Sequence, residues 1–245
     1  MIVKHKDVNF NVIVRSTVFW SIMAFSTIFY NLMAMLIIFT SVRNRHAAVV
    51  TWSKLFVFLS KHLCKVTYEV HGAKNIIKGP AVISSNHQSM WETMAYSVIF
   101  PSQVPILKRE LLYIPFFGWT LRTISPIAID RSKRSGTLGQ IYRQGKEKIS
   151  HGFWLLVFPE GTRAAPDKVL PYKTGVVKIA QHLDIPIVPV AHNAGHCMPK
   201  SSFWVFPGHI DVVVDQPIYV DKEASPEQVA SQLENWTKQE IQKLI

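Results

Sequence analysis

The chain has 245 residues, a length that suits one large α/β domain or two small ones, and one domain is the simpler interpretation. Its two cysteines, Cys64 and Cys197, are too far apart in sequence for a disulfide framework, so we expect a reducing compartment for the main domain. The net charge of +11 calls for an acidic partner: a phosphorylated substrate, an anionic lipid surface or a nucleic acid. The chain has no RNA-binding signature, so no nucleic-acid partner is expected.

The first predicted element is an uncharged apolar segment, residues 16–42, which is rich in aromatic side chains. A bilayer core needs only about 20 apolar residues, so we expect this segment to enter a membrane. A secretory signal would be shorter and would carry a small-residue cleavage site. Basic residues flank both ends, and the positive-inside rule therefore leaves two topologies open. One is a shallow hairpin around Asn31 with both ends on the cytoplasmic face, and the other is a single tilted span.

Residues 47–63 mix apolar side chains with Lys54, Lys61 and His62, which predicts an amphipathic helix with a basic polar side. Such a helix either lies at a membrane surface or packs on the globular domain, and the sequence leaves both open. We place the domain boundary here. Residues 1–63 are predicted to form a membrane-anchoring helical segment, and residues 64–245 an α/β domain.

From residue 66 onward, short apolar runs alternate with longer helical patterns. Strands are predicted at 66–70, 81–84, 104–107, 127–129, 154–158, 187–191 and 211–214. Helices are predicted at 91–100, 135–150, 175–183 and 226–244. Alternation of this kind predicts an α/β fold with a mixed, largely parallel sheet flanked by helices.

His87 follows the apolar run 81–83 and precedes a helical pattern, and Glu92 comes five residues later. Within one helix that spacing would turn the two side chains about 140° apart. They can meet only if His87 lies in the turn before the helix. The carboxylate would then hold one ring nitrogen and leave the other as a base near neutral pH. The alternative is structural, because Ser89 and Glu92 have the spacing of a capping box.

A second polar cluster, Phe158-Pro159-Glu160-Gly161-Thr162-Arg163, directly follows an apolar strand. Backbone N–H groups at a glycine turn, a hydroxyl and a guanidinium together suit a phosphate. An ordinary polar turn with a solvated arginine is the alternative. Arg131 also follows a predicted strand, so two guanidinium groups are expected to converge at one edge of the sheet, unless residues 130–134 form a solvated basic loop.

In this order the motifs resemble the 1-acylglycerol-3-phosphate acyltransferase family of glycerolipid acyltransferases. That family carries His-x4-Asp, a block ending in an Ile-x-Arg-like strand, Phe-Pro-Glu-Gly-Thr-Arg, and a proline-flanked apolar strand. The counterparts here lie at 87–92, 118–131, 158–163 and 185–190. One position departs from the pattern, because Glu92 stands where the family usually has Asp. The added methylene requires a shifted helix or another rotamer for the contact with His87.

The resemblance implies an enzyme that moves an acyl group from a thioester carrier to lysophosphatidic acid and so makes phosphatidic acid. His87 would be the general base and Glu92 its partner, with no covalent acyl-enzyme. Arg131, Gly161, Thr162 and Arg163 would bind the substrate phosphate, with Glu160 ordering that loop and Lys108 as a further phosphate ligand. The co-substrate would be acyl-CoA or acyl-acyl-carrier-protein.

No cofactor is expected beyond that co-substrate, and no metal site is expected. His192, His196 and Cys197 lack a second ligand set of matching spacing, and a loop position lining the pocket is expected for them. We expect the enzyme in a phospholipid membrane, namely the inner membrane of a bacterium with the catalytic domain facing the cytoplasm. Two rival functions remain. One is acyl transfer to another lyso-lipid or to glycerol 3-phosphate, and the other is non-catalytic membrane binding through the basic face.

Overall fold

A computed structural model describes residues 8–37, 39–130 and 136–244 of the chain. The helices in these residues are α1 Phe10–Ile37, α2 Val42–His62, α3 Trp91–Ile99, α4 Phe117–Thr123, α5 Thr137–Ser150, α6 Gly175–Leu183 and α7 Pro226–Lys243. The strands are β1 Val66–His71, β2 Val82–Ser85, β3 Gln103–Lys108, β4 Ile127–Ile129, β5 Trp154–Val157, β6 Ile187–His192 and β7 Gly208–Val214. All seven predicted strands are confirmed, whereas α4 had not been predicted.

The strands form one sheet in the order β1-β7-β6-β2-β5-β3-β4. Every neighbouring pair is parallel except β6 and β7, which run antiparallel. The predicted mixed, largely parallel sheet is therefore confirmed. The central strands β2 and β6 are buried along their whole length, as expected for strands covered by helices on both faces.

Successive strand residues point to opposite faces of the sheet and feed two hydrophobic clusters. Ile83 and Leu156 pack in one cluster with Phe56 of α2 and Trp91 of α3. On the other face, the adjacent strand residues Val82 and Leu155 pack with α5, α6 and α7. The sheet is therefore the middle layer of three.

When neighbouring strands are parallel, the loops that follow them lie at the same edge of the sheet. β2 pairs with β5 and β5 pairs with β3, all in parallel. The loops that carry His87 and residues 158–163 therefore lie side by side with the end of β3 at Lys108. This arrangement brings three predicted site segments to one edge.

α1 is a single helix of 28 residues that continues through Asn31, whose side-chain amide donates to the carbonyl of Thr27 at 2.7 Å. Of the two topologies left open, the hairpin around Asn31 is therefore wrong. The chain turns at residues 39–41 instead, where Ser41 caps α2, and α1 and α2 pack against each other. An amide that bonds back onto its own helix does not break it, which explains the difference.

The two faces of α1 differ in their surroundings. One face carries Val12, Ser16, Phe19 and Met23 at helical spacing and is buried against the rest of the chain, whereas the other is apolar and exposed. Residues 10–33 form the one described helix that is long and apolar enough to cross a membrane. The predicted membrane segment thus has a side packed on the protein and an exposed apolar side.

Polar contacts along its buried face attach α1 to the remainder of the protein. The Val205 N–H donates to Ser16 Oγ at 2.9 Å, and Trp20 Nε1 donates to the carbonyl of Phe203 at 2.7 Å. Trp52 Nε1 of α2 donates to Ser26 Oγ at 3.0 Å. α2 itself packs on α3 and β1, so of the two alternatives for residues 47–63 the structure has a helix packed on the globular part. The domain boundary at residue 63 stays a prediction.

Candidate active site

His87 lies in the loop between β2 and α3, four residues before the helix begins at Trp91. Its Nδ1 lies 2.8 Å from Glu92 Oε1. A carboxylate only accepts hydrogen bonds, so the proton of the neutral ring resides on Nδ1 and Nε2 is free to act as a base. The extra methylene of glutamate is accommodated, because Glu92 lies in the first turn of α3 and reaches back to the ring.

Glu92 is fully buried and has two functions at once. Its Oε1 also accepts the N–H groups of Gln88 and Ser89 at 3.0 and 2.8 Å. Because Ser89 Oγ in turn accepts the Trp91 N–H at 3.0 Å, Ser89 and Glu92 form a capping box at the start of α3. Burial alone would raise the pKa of Glu92, but the nearby His192 and the bonds from His87 and Ser89 outweigh it and lower that pKa. The carboxylate is therefore ionised at neutral pH, and the capping and histidine-binding interpretations both hold.

His192 was expected in a loop that lines the pocket, but it is the last residue of β6 and is buried behind Glu92. Its Nδ1 accepts the Ala194 N–H at 3.1 Å, so Nε2 carries the proton and donates to the Asn86 carbonyl at 3.0 Å. Burial lowers the pKa of His192, which keeps the ring neutral. The expectation was wrong because β6 extends one residue further than predicted.

Asn86 binds the loop of His87 to β6. Its side chain accepts the His192 N–H at 3.1 Å and donates to the His192 carbonyl at 2.9 Å. Sequence reasoning missed both Asn86 and His192. The sequence shows only that a polar residue lies at the end of β2 and another at the end of β6. It does not show that β2 pairs with β6, which is what brings Asn86 and His192 together.

The second motif also positions His87. Glu160 Oε1 accepts the His87 N–H at 2.9 Å, and the Ala164 N–H donates to the His87 carbonyl at 2.7 Å. The Phe158 ring stacks on the imidazole with centroids 4.0 Å apart. Both peptide groups and the ring of His87 are therefore fixed by residues 158–164.

Glu160 is buried and turned away from the cavity. Its second oxygen accepts the Leu170 N–H at 3.2 Å, and burial raises the pKa of this carboxyl to about 7. Gly161 adopts a φ of +73°, a left-handed conformation that favours glycine at this turn. Glu160 thus orders the loop from behind, while Gly161 turns it toward the cavity.

A cavity of about 460 Å³ opens beside His87. Its polar mouth includes His87, Lys108, Gly161, Thr162 and Arg163. From there it extends between α2, α3, α4 and β3 along walls that include Val49, Val50, Met90, Met94, Leu107, Leu111, Leu121, Ile124, Leu156 and Phe158. A base at the mouth therefore adjoins an apolar compartment on one side and cationic donors on the other.

Three buried polar residues, His46, Ser53 and Gln103, also line the cavity. Gln103 lies at the opposite end of β3 from Lys108, and so at the polar end of the cavity far from its mouth. Ser53 Oγ and Gln103 Oε1 have no hydrogen-bond partner among the described residues. β3 spans the cavity from Gln103 to Lys108, so five residue steps of about 3.3 Å make it about 17 Å long.

The structure thus brings most of the predicted site residues to one edge. His87, Lys108, Gly161, Thr162 and Arg163 share the cavity mouth, and Glu92 and Glu160 lie behind it. Arg131 lies outside the described residues. Cys197 is buried, and His196 Nε2 lies 2.5 Å from Asp167 Oδ1, so neither takes the pocket position expected for it.

A histidine held between an apolar cavity and a loop with cationic side chains is the arrangement expected of an enzyme that activates a hydroxyl group for acyl transfer. The comparisons agree with this class, because the acyltransferase family model matches residues 67–193. The chain is 41% identical over 182 residues to the 1-acyl-sn-glycerol-3-phosphate acyltransferase of Pseudomonas aeruginosa. The matched region covers 74% of this chain and 71% of that protein.

A second relative is the 1-acyl-sn-glycerol-3-phosphate acyltransferase of Saccharomyces cerevisiae, 31% identical over 68% of this chain and 56% of its own length. The fold is that of the 1-acyl-sn-glycerophosphate (LPA) acyltransferase of Thermotoga maritima, with a TM-score of 0.78, 24% identity and 95% of both chains covered. The chain belongs to the 1-acyl-sn-glycerol-3-phosphate acyltransferase family.

Proposed function

We propose that this enzyme transfers a fatty acyl group from a thioester carrier to the free sn-2 hydroxyl of 1-acyl-sn-glycerol 3-phosphate and so makes phosphatidic acid. One observation carries the proposal. The free nitrogen of His87 lies at a mouth where an apolar cavity meets the loop of Gly161, Thr162 and Arg163. The names of the relatives in Pseudomonas aeruginosa and Saccharomyces cerevisiae support the same acceptor.

His87 Nε2 takes the proton of the acceptor hydroxyl as its oxygen attacks the thioester carbonyl carbon. The C–S bond then breaks, and the imidazolium returns its proton to the leaving thiolate. Glu92 stabilises the imidazolium between these steps, because its ionised Oε1 lies 2.8 Å from Nδ1. The histidine therefore begins and ends each cycle neutral.

Direct transfer needs no protein nucleophile, and the cysteines support this. Cys64 is buried just after the end of α2, where its thiol donates to the Arg15 carbonyl at 3.9 Å, and burial raises its pKa to about 11, so its sulfur stays a thiol at neutral pH. Cys197 is also buried, and neither cysteine lies among the described residues that line the cavity.

The acceptor phosphate binds the hydroxyl of Thr162, the guanidinium of Arg163 and the ammonium group of Lys108, with Gly161 allowing close approach. Lys200 Nζ donates to the Arg163 carbonyl at 2.7 Å, which fixes the backbone there and adds a further positive charge near the site. Arg131 is assigned to the same phosphate by the family pattern, and this assignment stays a prediction.

The apolar cavity holds the acyl chain that is transferred. The cavity is about 17 Å long, and the hydrocarbon core of a bilayer is about 30 Å thick. The cavity length is therefore close to half of that thickness, which is the depth that one acyl chain of a membrane lipid occupies. The carrier is acyl-CoA or acyl-acyl-carrier-protein, both acidic, and the net charge of +11 suits either. The enzyme acts at the inner membrane of a bacterium with its active site toward the cytoplasm.

The test is an acyl-transfer assay on membranes with both carriers and a panel of lyso-lipid acceptors. His87→Ala should lower kcat by about 10²–10⁴-fold, the usual cost of a lost general base. Arg163→Ala should mainly raise KM for the phosphorylated acceptor by about 10–150-fold, because a charged hydrogen bond contributes about 1.5–3 kcal/mol.

His151→Ala is the matched control, because His151 is an exposed histidine at the end of α5. It should leave both parameters unchanged. Preference for another acceptor would overturn the substrate assignment. Full activity of His87→Ala would overturn the mechanism, whereas a wild-type protein inactive with every carrier and acceptor would favour the non-catalytic alternative.

A further inference from the structure

Five exposed apolar side chains lie close together in residues 111–119. They are Leu111, Tyr113, Ile114, Phe116 and Trp119, with exposed fractions of 37%, 66%, 44%, 45% and 50%. The rings of Phe116 and Trp119 are 5.1 Å apart. We call this set the mouth patch. A concentration of apolar surface of this kind marks an interaction site.

The mouth patch is carried by a tightly packed helical hairpin, made of the 3-10 turn Arg109–Tyr113 and α4. The Gly118 N–H donates to the Ile114 carbonyl at 2.7 Å. A Cβ at Gly118 would lie only 2.4 Å from the Leu112 carbonyl oxygen, so only glycine permits this approach. The hairpin therefore presents the exposed side chains in a fixed arrangement.

The inner side of the same hairpin forms part of the cavity wall, through Leu111, Thr120 and Leu121. α4 also packs against α1, whose outer face is apolar. The hairpin that carries the mouth patch therefore packs against the helix that can cross a membrane, and it also forms part of the wall of the catalytic cavity.

The charges around the mouth patch are mainly positive. Lys108, Arg109 and Arg122 are exposed beside it, against one acidic residue, Glu110. The Arg122 guanidinium lies 5.8 Å from the centre of the Tyr113 ring. Tyrosine and tryptophan with flanking basic residues are characteristic of the boundary between lipid chains and anionic headgroups.

We propose that the mouth patch inserts into an anionic lipid bilayer and that the lysolipid acceptor passes from the bilayer to His87 along it. The packing of this hairpin against α1 selects a bilayer over a second protein as the occupant. The proposal rests on the proposed function, because it concerns how the acceptor of that reaction arrives.

The kinetic test uses the full chain in vesicles that contain anionic phospholipid. The double variant Phe116→Ser, Trp119→Ser alters no residue that lines the cavity. With a long-chain acceptor resident in the bilayer, kcat/KM should fall about tenfold or more. With a short-chain acceptor that reaches the site from water, kcat/KM should stay unchanged. Tyr219→Ser is the control, because Tyr219 is 76% exposed and distant in sequence from the mouth patch.

Equal loss with both acceptors, or no loss with either, would overturn the proposal. Failure of the proposed function is a different result, because the wild-type enzyme would then use neither acceptor.

A second measurement does not depend on activity. Cys64 and Cys197 are buried, so an environment-sensitive fluorophore can be attached selectively to Trp119→Cys and, as a control, to Tyr219→Cys. On addition of anionic vesicles, the emission at position 119 should shift to that of an apolar medium, whereas position 219 should not change. An aqueous spectrum at both positions would overturn the proposal.

Discussion

Glu92→Gln tests the central contact of the site. Oε1 of Glu92 accepts the ring N–H of His87 and two backbone N–H groups, and an amide oxygen can accept the same three bonds. The substitution therefore removes the charge while it keeps the cap of α3. The imidazolium formed during transfer loses a charged hydrogen bond, about 1.5–3 kcal/mol, so kcat should fall by about 10–150-fold. KM should change little, because Glu92 is fully buried and does not line the cavity.

The assay measures kcat and KM for lysophosphatidic acid in vesicles, together with the melting temperature. Glu234→Gln is the matched control, because its carboxylate also accepts a backbone N–H, from Tyr172 at 2.8 Å, but its side-chain partner is Lys238 rather than His87. Glu92→Asp keeps the charge and shortens the side chain by one methylene, so its kcat should lie between those of wild type and Glu92→Gln. An unchanged kcat in correctly folded Glu92→Gln would refute the argument that a cationic His87 is stabilised during the reaction.

Two further predictions follow from the buried polar groups. Glu160 has a pKa of about 7 in the folded protein, against an ordinary value of 4.5. Between these two values the folded state keeps a proton that the unfolded chain loses. The free energy of unfolding should therefore fall by about 3 kcal/mol as the pH rises from 4.5 to 7. Glu160→Gln should abolish this component in melting curves taken against pH, and equal slopes would contradict it. The double variant Ser53→Ala, Gln103→Leu should increase the use of acyl donors that are two methylenes longer by about tenfold. Each buried methylene contributes about 0.8 kcal/mol, and the two unpartnered polar groups would no longer disfavour an apolar chain there. Mass spectrometry of the lipids made from competing donors measures the ratio of long to short acyl chains. Ser84→Ala is the control, because it removes a buried hydroxyl that has no partner among the described residues and does not line the cavity. An unchanged ratio in the double variant would contradict the prediction.

The local parts of the fold and site could be predicted from the chain. Hydrophobic runs located all seven strands, and the five-residue spacing placed His87 in the turn before a helix that begins at Trp91. These features depend on neighbours a few residues away, whose periodicity is written directly in the sequence. The catalytic roles of His87 and Glu92 stay predictions, as do those of the phosphate-binding residues.

What could not be predicted depends on contacts between distant segments. His192 comes behind Glu92 only because β6 pairs with β2, and no local pattern specifies the order of strands in a sheet. The same holds for Glu160, which was expected to order its own loop but also holds the backbone of His87, 73 residues away. α4 was missed because its seven residues contain Gly118, a weak helix former, and are too few to show a clear period.

The pairing of β1 has a consequence for how the protein is made. β1 is at the edge of the sheet and bonds only to β7, with Thr67 and His209 separated by 142 residues. Ser16 of α1 likewise receives its bond from Val205. During synthesis the first helices and the first strand therefore leave the ribosome long before their partners exist. The apolar outer side of α1 can enter lipid early, but β1 joins the sheet only after β7 has emerged. A nascent chain halted before β7 would therefore leave β1 unpaired.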